Sequence, residues 1–200
     1  MLRSSIAMLV LLILSACGSK GQAPELVGFE VTPIKGTDCA WAAKINHQGI
    51  IMEQGELLKG VPNGTWTAYH LDEQIPKSLT SLVNGKKTGP YLEFSQKGEM
   101  KLYAEFFNDI PHGRRIEFGS FGRKLKESSY KNGELHGLYS EWNNQGKLQK
   151  TMNYVDGKLD GLLAYYDQEG IKTVEYIYKN GEKVSGGVVN QEEAGTDTQE

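Results

Sequence analysis

Along this chain, short stretches of alternating side chains run repeatedly into turn-forming dipeptides. Thr80 and Leu82, Ala104 and Phe106, Ser128 and Tyr130, Met152 and Tyr154, and Tyr176 and Tyr178 each stand two residues apart. These pairs lead into Asn84-Gly85, Asn108-Asp109, Asn132-Gly133, Asp156-Gly157 and Asn180-Gly181. A period of two predicts strands, because successive side chains of a strand point to opposite faces. Asn, Asp and Gly tolerate positive φ, so each dipeptide predicts a type I′ turn.

Four residues beyond those turns comes a second glycine series, Gly64, Gly89, Gly113, Gly137 and Gly161, with Ser185 in register and spacings of 25 and then 24 residues. Gly60 heads the turn series, and a third series follows at Gly98, Gly122, Gly146 and Gly170. One step earlier, Gly36, Ala40 and Gly49 make a degenerate first copy. The fifth residue after the main glycine is aromatic in every full copy: Tyr69, Phe94, Phe118, Trp142, Tyr166. The second is Trp66, Tyr91, Arg115, Tyr139 or Leu163. A strand is expected to follow each main glycine, so each unit is one hairpin.

A lone hairpin is marginal in water, so successive hairpins must pair side by side. The expectation is an all-β, elongated single-sheet array of about six tandem β-hairpin repeats, with one aromatic-rich face buried. About twelve strands at roughly 4.8 Å would span about 55–60 Å. No segment has sustained helical periodicity.

Composition agrees. Glycine makes up 24 of the 200 residues, well above its roughly 7% average usage, with only 6 prolines and no collagen period. The 10 tyrosines, 6 phenylalanines and 3 tryptophans speak against a disordered chain. A formal net charge of −3 gives no footprint for nucleic acid. Four acids and no base lie in the last fifteen residues (Glu192, Glu193, Asp197 and Glu200).

The unit Asn132-Gly133-Glu134-Leu135-His136-Gly137-Leu138-Tyr139-Ser140-Glu141-Trp142, continuing to Gly146-Lys147-Leu148, resembles a MORN repeat of the bacterial, antitoxin-like variant. The resemblance runs from about Gly36 to Ser185. Asp109 in place of a turn glycine, Arg115 in place of an aromatic and Ala40 in place of the first main glycine depart from it, and each is expected to weaken its rung. The resemblance implies protein scaffolding, association with membrane lipids, or an antitoxin acting on an exported toxin.

The N-terminus carries one early base, Arg3, and then the apolar run from Ile6 to Leu14. Nine residues suit a signal-peptide core and fall short of the ~20 needed to span a bilayer. Leu14-Ser15-Ala16-Cys17-Gly18 resembles the lipobox of bacterial lipoproteins. That likeness implies cleavage after residue 16 and lipidation of Cys17, with several acyl chains giving stable anchoring. By the same likeness, Gly18 in place of an Asp after the cysteine implies, for a Gram-negative source, the outer membrane facing the periplasm. The expected layout is a signal peptide over 1–16, a tether over 17–25, the repeat domain over 26–185 and an acidic tail over 186–200. Cys39 is then the one free thiol.

Candidate chemistry is thin. His112 and His136 occupy the same repeat position, where Cys39, Asn63, Thr88 and Asp160 stand in other copies. Two strands per repeat put them about 10 Å apart, too far to share a metal. Glu93, Glu117 and Glu141 form a column with the same spacing, wide for a glycosidase pair. No nucleophile elbow, P-loop or dinucleotide fingerprint occurs. No cofactor, metal or catalytic residue is expected, and no enzyme.

Arg114, Arg115, Arg123, Lys124 and Lys126 are the one local excess of base, suited to an anionic head group or acidic partner. Any of Trp66, Tyr91 and Tyr139 left on the outside could stack on a ligand. The binding candidates are therefore Trp66, Tyr91, Arg114, Arg115 and Tyr139. The leading expectation is a membrane-anchored, non-enzymatic scaffold for an envelope protein partner, and the alternative is a module binding lipid head groups or cell-wall glycan.

Overall fold

A computed structural model describes residues 26–71 and 75–189. It is all-β, a single open antiparallel sheet. The strands are β1 (Phe29–Pro33), β2 (Cys39–Ile45), β3 (Ile51–Leu58), β4 (Val61–Tyr69), β5 (Pro76–Val83), β6 (Lys86–Phe94), β7 (Met100–Phe107), β8 (Ile110–Phe118), β9 (Lys124–Lys131), β10 (Glu134–Leu135), β11 (Gly137–Trp142), β12 (Leu148–Val155), β13 (Lys158–Tyr166), β14 (Lys172–Lys179) and β15 (Glu182–Val188). Every strand pairs with its neighbour in sequence, except that the two-residue β10 pairs only with β9 and β11 takes its place in the order. The fold is thus a row of hairpins, with fifteen strands among the described residues where about twelve were expected. β15 carries the sheet to Val188, so residues 186–188 belong to the sheet and not to a tail. Cys17, the segment before residue 26 and the acids beyond 189 lie outside the described residues.

Local chemistry explains the turns. Asn84 and Gly85 both have positive φ (52° and 76°), as do Asn132 and Gly133 (53° and 90°), the requirement of a type I′ turn. Asp109 replaces the glycine at φ 68° without loosening its rung. Its N–H donates to the Lys87 carbonyl (2.9 Å), and its Oδ1 accepts the Lys87 N–H (2.8 Å). The second contact needs a side chain, so the departure expected to weaken a rung adds a bond.

Gly64, Gly89, Gly113 and Gly161 sit inside strands and do not precede them, while Gly137 opens β11 just after the short β10. In the β5–β6 hairpin, Leu82 faces Lys87, but Thr80 faces Tyr91, so residues 88–90 oppose Ser81 alone. The same bulge recurs between β7 and β8, and between β12 and β13. Gly89, Gly113, Gly137 and Gly161 hold φ between 99° and 110° there. In β15 Ser185 takes the glycine's place, and the positive φ moves on to Gly186 (106°).

Register fixes the faces. Trp66, Thr80, Tyr91, Ala104, Arg115 and Ser128 face one another in succession across β4 to β9. Ser140 opposite Glu127 extends the row to Tyr139, and then come Met152, Leu163 and Tyr176. Large and small side chains alternate as far as Tyr139, which lets a single layer close over itself, and the row then ends in the large side chains Met152, Leu163 and Tyr176. The expected burial of one face is corrected here: among the described residues no second layer covers either face. Ala104, Met152 and Leu163 are buried on the ladder face, and Ile116 and Ala164 on the other. Most side chains are covered by neighbours on adjacent strands, so most rungs stay half-buried, except at the β1 end, where Leu26 and Phe29 reach across to pack against Trp66 of β4.

Candidate interaction surface

The ladder face carries a repeated two-residue device. Residues i and i+2 of a strand share a face, close enough for long side chains to meet. The Tyr91 hydroxyl donates to Glu93 Oε1 (2.6 Å), Arg115 Nη2 donates to Glu117 Oε1 (3.1 Å), and the Tyr139 hydroxyl donates to Glu141 Oε1. The glutamate column is therefore engaged by its own strand, each carboxylate by the residue two before it. Desolvation, and then the Glu93 hydrogen bond, push the Tyr91 phenol up to about 12. Tyr139 is raised by the same two causes in the same order, and Tyr154 by burial and then the charge of Glu141. The ladder thus presents neutral phenols as hydrogen-bond donors against carboxylates.

Aromatic rings pack edge to face along the same surface. Tyr91 meets Phe106 at 6.1 Å between centroids, and Tyr139 meets Tyr154 at 6.3 Å. Lys87 Nζ lies 4.9 Å from the Tyr91 centroid and 5.3 Å from that of Phe106, within cation–π range. At the β1 end a groove of about 440 Å³ is lined by Leu26, Phe29, Trp66, Leu82 and Lys87, among others.

The sequence-derived candidates separate. Trp66 is core and is not available as an outward-facing stacking residue: it is 5% exposed, clusters with Ala42 and Leu57, and packs edge to face on Phe29. Its ring lies over Gly55, where a Cβ would collide with the indole, and its Nε1 donates to the Glu56 carbonyl (3.1 Å). Tyr91, Arg115 and Tyr139 are half-buried on the open ladder face.

The basic group is not one patch. Arg115 and Lys126 lie on the ladder face, whereas Arg114 lies on the opposite face, paired with Glu127 (2.7 Å), which also takes Lys124 (2.8 Å). Those partners hold the Glu127 carboxyl below its usual range, Lys124 first. Arg123 Nη1 donates to the Asn144 carbonyl (2.8 Å).

The histidine position is a joint between repeats. Asn63 Oδ1, Thr88 Oγ1, His112 Nδ1, His136 Nδ1 and Asp160 Oδ2 each accept the N–H of the first turn residue of the next hairpin, at 3.2–3.4 Å. Asn, Thr, His and Asp share only an acceptor, which is why the position varies among them. Cys39 stands at the equivalent place, and its thiol is pushed up first by a hydrogen bond with Glu56. Among the described residues no three His, Cys, Asp or Glu side chains come together as a metal site.

A second column went unread in the sequence, six residues after the main glycine. Asn46 and Ser95 head five-residue loops, their side-chain oxygens accepting the N–H groups two and four residues on. Asn143 and Asp167 do the same. His70 and Gly119 break the series, and there a side chain reaches the next repeat: His70 Nε2 donates to the Phe94 carbonyl (3.0 Å), and Arg123 to that of Asn144. The missing signal was a run of Asn, Ser and Asp on the common period.

Fold and surface together define a single-sheet β-hairpin repeat protein. Compared with protein-family models and with curated proteins, the chain matches none.

Proposed function

We propose that this protein is a non-enzymatic binding protein of the MORN-like kind, anchored to a membrane through Cys17, which presents the ladder face to a protein partner of the cell envelope. One observation carries this reading. Tyr91, Arg115 and Tyr139 stand half-buried on one row of a sheet with no covering layer, each holding a carboxylate two residues on. Phenol donors, carboxylate acceptors and rigid aromatic area in a line suit an extended partner surface. The lipobox-like Leu14-Ser15-Ala16-Cys17 supports the anchor and the envelope location.

The test is cross-linking in living cells followed by affinity capture, comparing wild type with a Tyr91→Ala, Arg115→Ala, Tyr139→Ala triple variant. A dominant partner lost in the variant, with the variant still folded by circular dichroism, supports the reading. An unchanged partner, or bait alone, overturns it, and direct assays with vesicles and peptidoglycan then become the next measurement. Cys17→Ser should abolish lipid labelling and release the protein from membranes. Membrane retention without labelling contradicts the anchor.

A further inference from the structure

Tight turns line one long edge of the sheet, the turn edge, and the loops headed by Asn46, Ser95, Asn143 and Asp167 line the other, the loop edge. On the face opposite the ladder, the residues that flank the turns form a row along the turn edge. Leu58 faces Val61, Val83 faces Lys86 and Phe107 faces Ile110, each one residue closer to its turn than the ladder-face pairs Leu57–Pro62, Leu82–Lys87 and Phe106–Pro111. Alternation along the strands therefore turns them to the reverse face. Over β3 to β8 every flanking residue except Lys86 is apolar, and Leu58, Val83, Phe107 and Ile110 are 38–57% exposed. The later hairpins fill the same two positions differently: Lys131 faces Glu134, Val155 faces Lys158 and Lys179 faces Glu182. The hairpin thus folds with charge at these positions, and the apolar row of β3–β8 is not a demand of the fold. A contiguous exposed apolar row marks a contact surface.

We propose that this row is the interface of a two-fold dimer, in which two copies pack back to back, turn edge over turn edge, with their arrays running in opposite directions. The row is complementary to itself. With the two-fold axis parallel to the strands and set between β5 and β6, β3 lies over β8 of the second copy, β4 over its β7 and β5 over its β6. Leu58 then meets Ile110 of the second copy and Val61 meets its Phe107, apolar on apolar. The Lys86 stem lies over Val83 while its ammonium reaches water. The next strands out bring opposite charges together. Lys131 of β9 meets Asp38 at the start of β2, which its own Lys59 approaches only to 3.8 Å, and Glu134 of β10 meets the exposed Lys35. An axis shifted toward the C-terminal hairpins would instead set the apolar residues against Lys131, Lys158 and Lys179. Area agrees: β1 to β10 at about 4.8 Å each, by about 13 Å for the turn-ward half of a strand, give about 600 Å² per copy and about 1,200 Å² in all, enough for a specific interface. Both ladder faces stay outward, so this inference stands apart from the ladder-face reading.

The test is sedimentation of the full chain carrying Cys17→Ser, which removes any acyl chain, at about 100 µM, above the micromolar constants of weak interfaces. A dimer is expected. Phe107→Lys, at an exposed position, should leave the circular dichroism spectrum unchanged and give a monomer. Lys131→Asp breaks the rim pair on both sides of the two-fold and should weaken association about tenfold, and adding Asp38→Lys should restore it. The Tyr91→Ala, Arg115→Ala, Tyr139→Ala variant should stay dimeric. A monomeric wild type, a dimer that survives Phe107→Lys or dissociates in the ladder variant, or a charge swap that restores nothing would overturn the proposal. A monomer that floats with neutral phosphatidylcholine vesicles would overturn it too, and would assign the row to a bilayer.

Discussion

The two long edges of the sheet are both built from turn residues on a common period, yet they hold the array together in different ways. On the turn edge every hairpin is bonded to the one before it. The N–H groups of Gly85, Asp109, Gly133, Gly157 and Gly181 donate to the carbonyls of Pro62, Lys87, Pro111, Leu135 and Leu159. The acceptor column adds a side-chain bond beside each. On the loop edge Asn46, Ser95, Asn143 and Asp167 close their loops internally. Among the described residues, it is the two loops lacking such a head residue that reach the next repeat by a side chain, through His70 and Arg123. One edge couples repeats and the other is a series of separate loops, free to carry charge and exposed aromatic surface. In a fold where each repeat touches only its neighbours, stability depends on such nearest-neighbour terms.

The sharpest way to break this comparison is to strain one turn on each edge. Gly133→Val places a β-branched residue at φ 90° with Ile110 3.4 Å from its Cβ, and should cost about 1–2 kcal/mol. Gly146→Val meets the same backbone penalty at φ 82°, with nothing within 4 Å. Amide exchange should rise in both flanking repeats for Gly133→Val and only in the 143–147 loop for Gly146→Val. Equal spread would remove the distinction between the edges.

Next in size is Asn143→Ala, which strips the acceptor from the N–H groups of Gln145 and Lys147 and should cost about 1 kcal/mol in thermal unfolding. Phe121→Gly should move stability the other way. Relief of the left-handed backbone is worth about 1 kcal/mol, and the ring is exposed but for the Arg123 guanidinium 6.0 Å from its centroid, so a lower melting temperature would mean that this contact outweighs the strain.

The turn edge also has a pH signature. Lys179, and then the Asn180 N–H, hold the Asp160 carboxyl below its ordinary range. A depressed folded-state value stabilises above the unfolded value of about 3.9 and is lost as pH falls through the lower folded value. Asp160→Asn should therefore flatten the acid limb of stability against pH while leaving neutral-pH spectra unchanged. The smallest effect belongs to His112→Asn, which keeps an acceptor like that of Asn63 and should change stability by under about 0.5 kcal/mol. His112→Leu removes the acceptor, and a loss no larger than that of His112→Asn would show that the joint contributes nothing.

Much of this was legible in the chain. Asn-Gly and Asp-Gly turns and period-two alternation are local, so the hairpins could be read directly. The bulge at Gly89 and its equivalents was not, because a glycine beside a strand looks the same whether it precedes the strand or kinks it. Trp66 was misplaced for a related reason: Gly55, which makes room for its ring, lies on the preceding strand and belongs to another copy. The acceptor column was visible as Asn63, Thr88, His112, His136 and Asp160, but its shared property appears only once each is seen facing the next turn.

The sequence by itself determined where the backbone must take positive φ, and therefore where strands end and reverse, because those constraints act within three or four residues. Tertiary structure decided which rungs are buried, which face carries the phenol–carboxylate ladder, and which edge couples the repeats. Those depend on side chains from different strands meeting across a single layer, where burial is supplied mostly by the adjacent strands and not by a second layer.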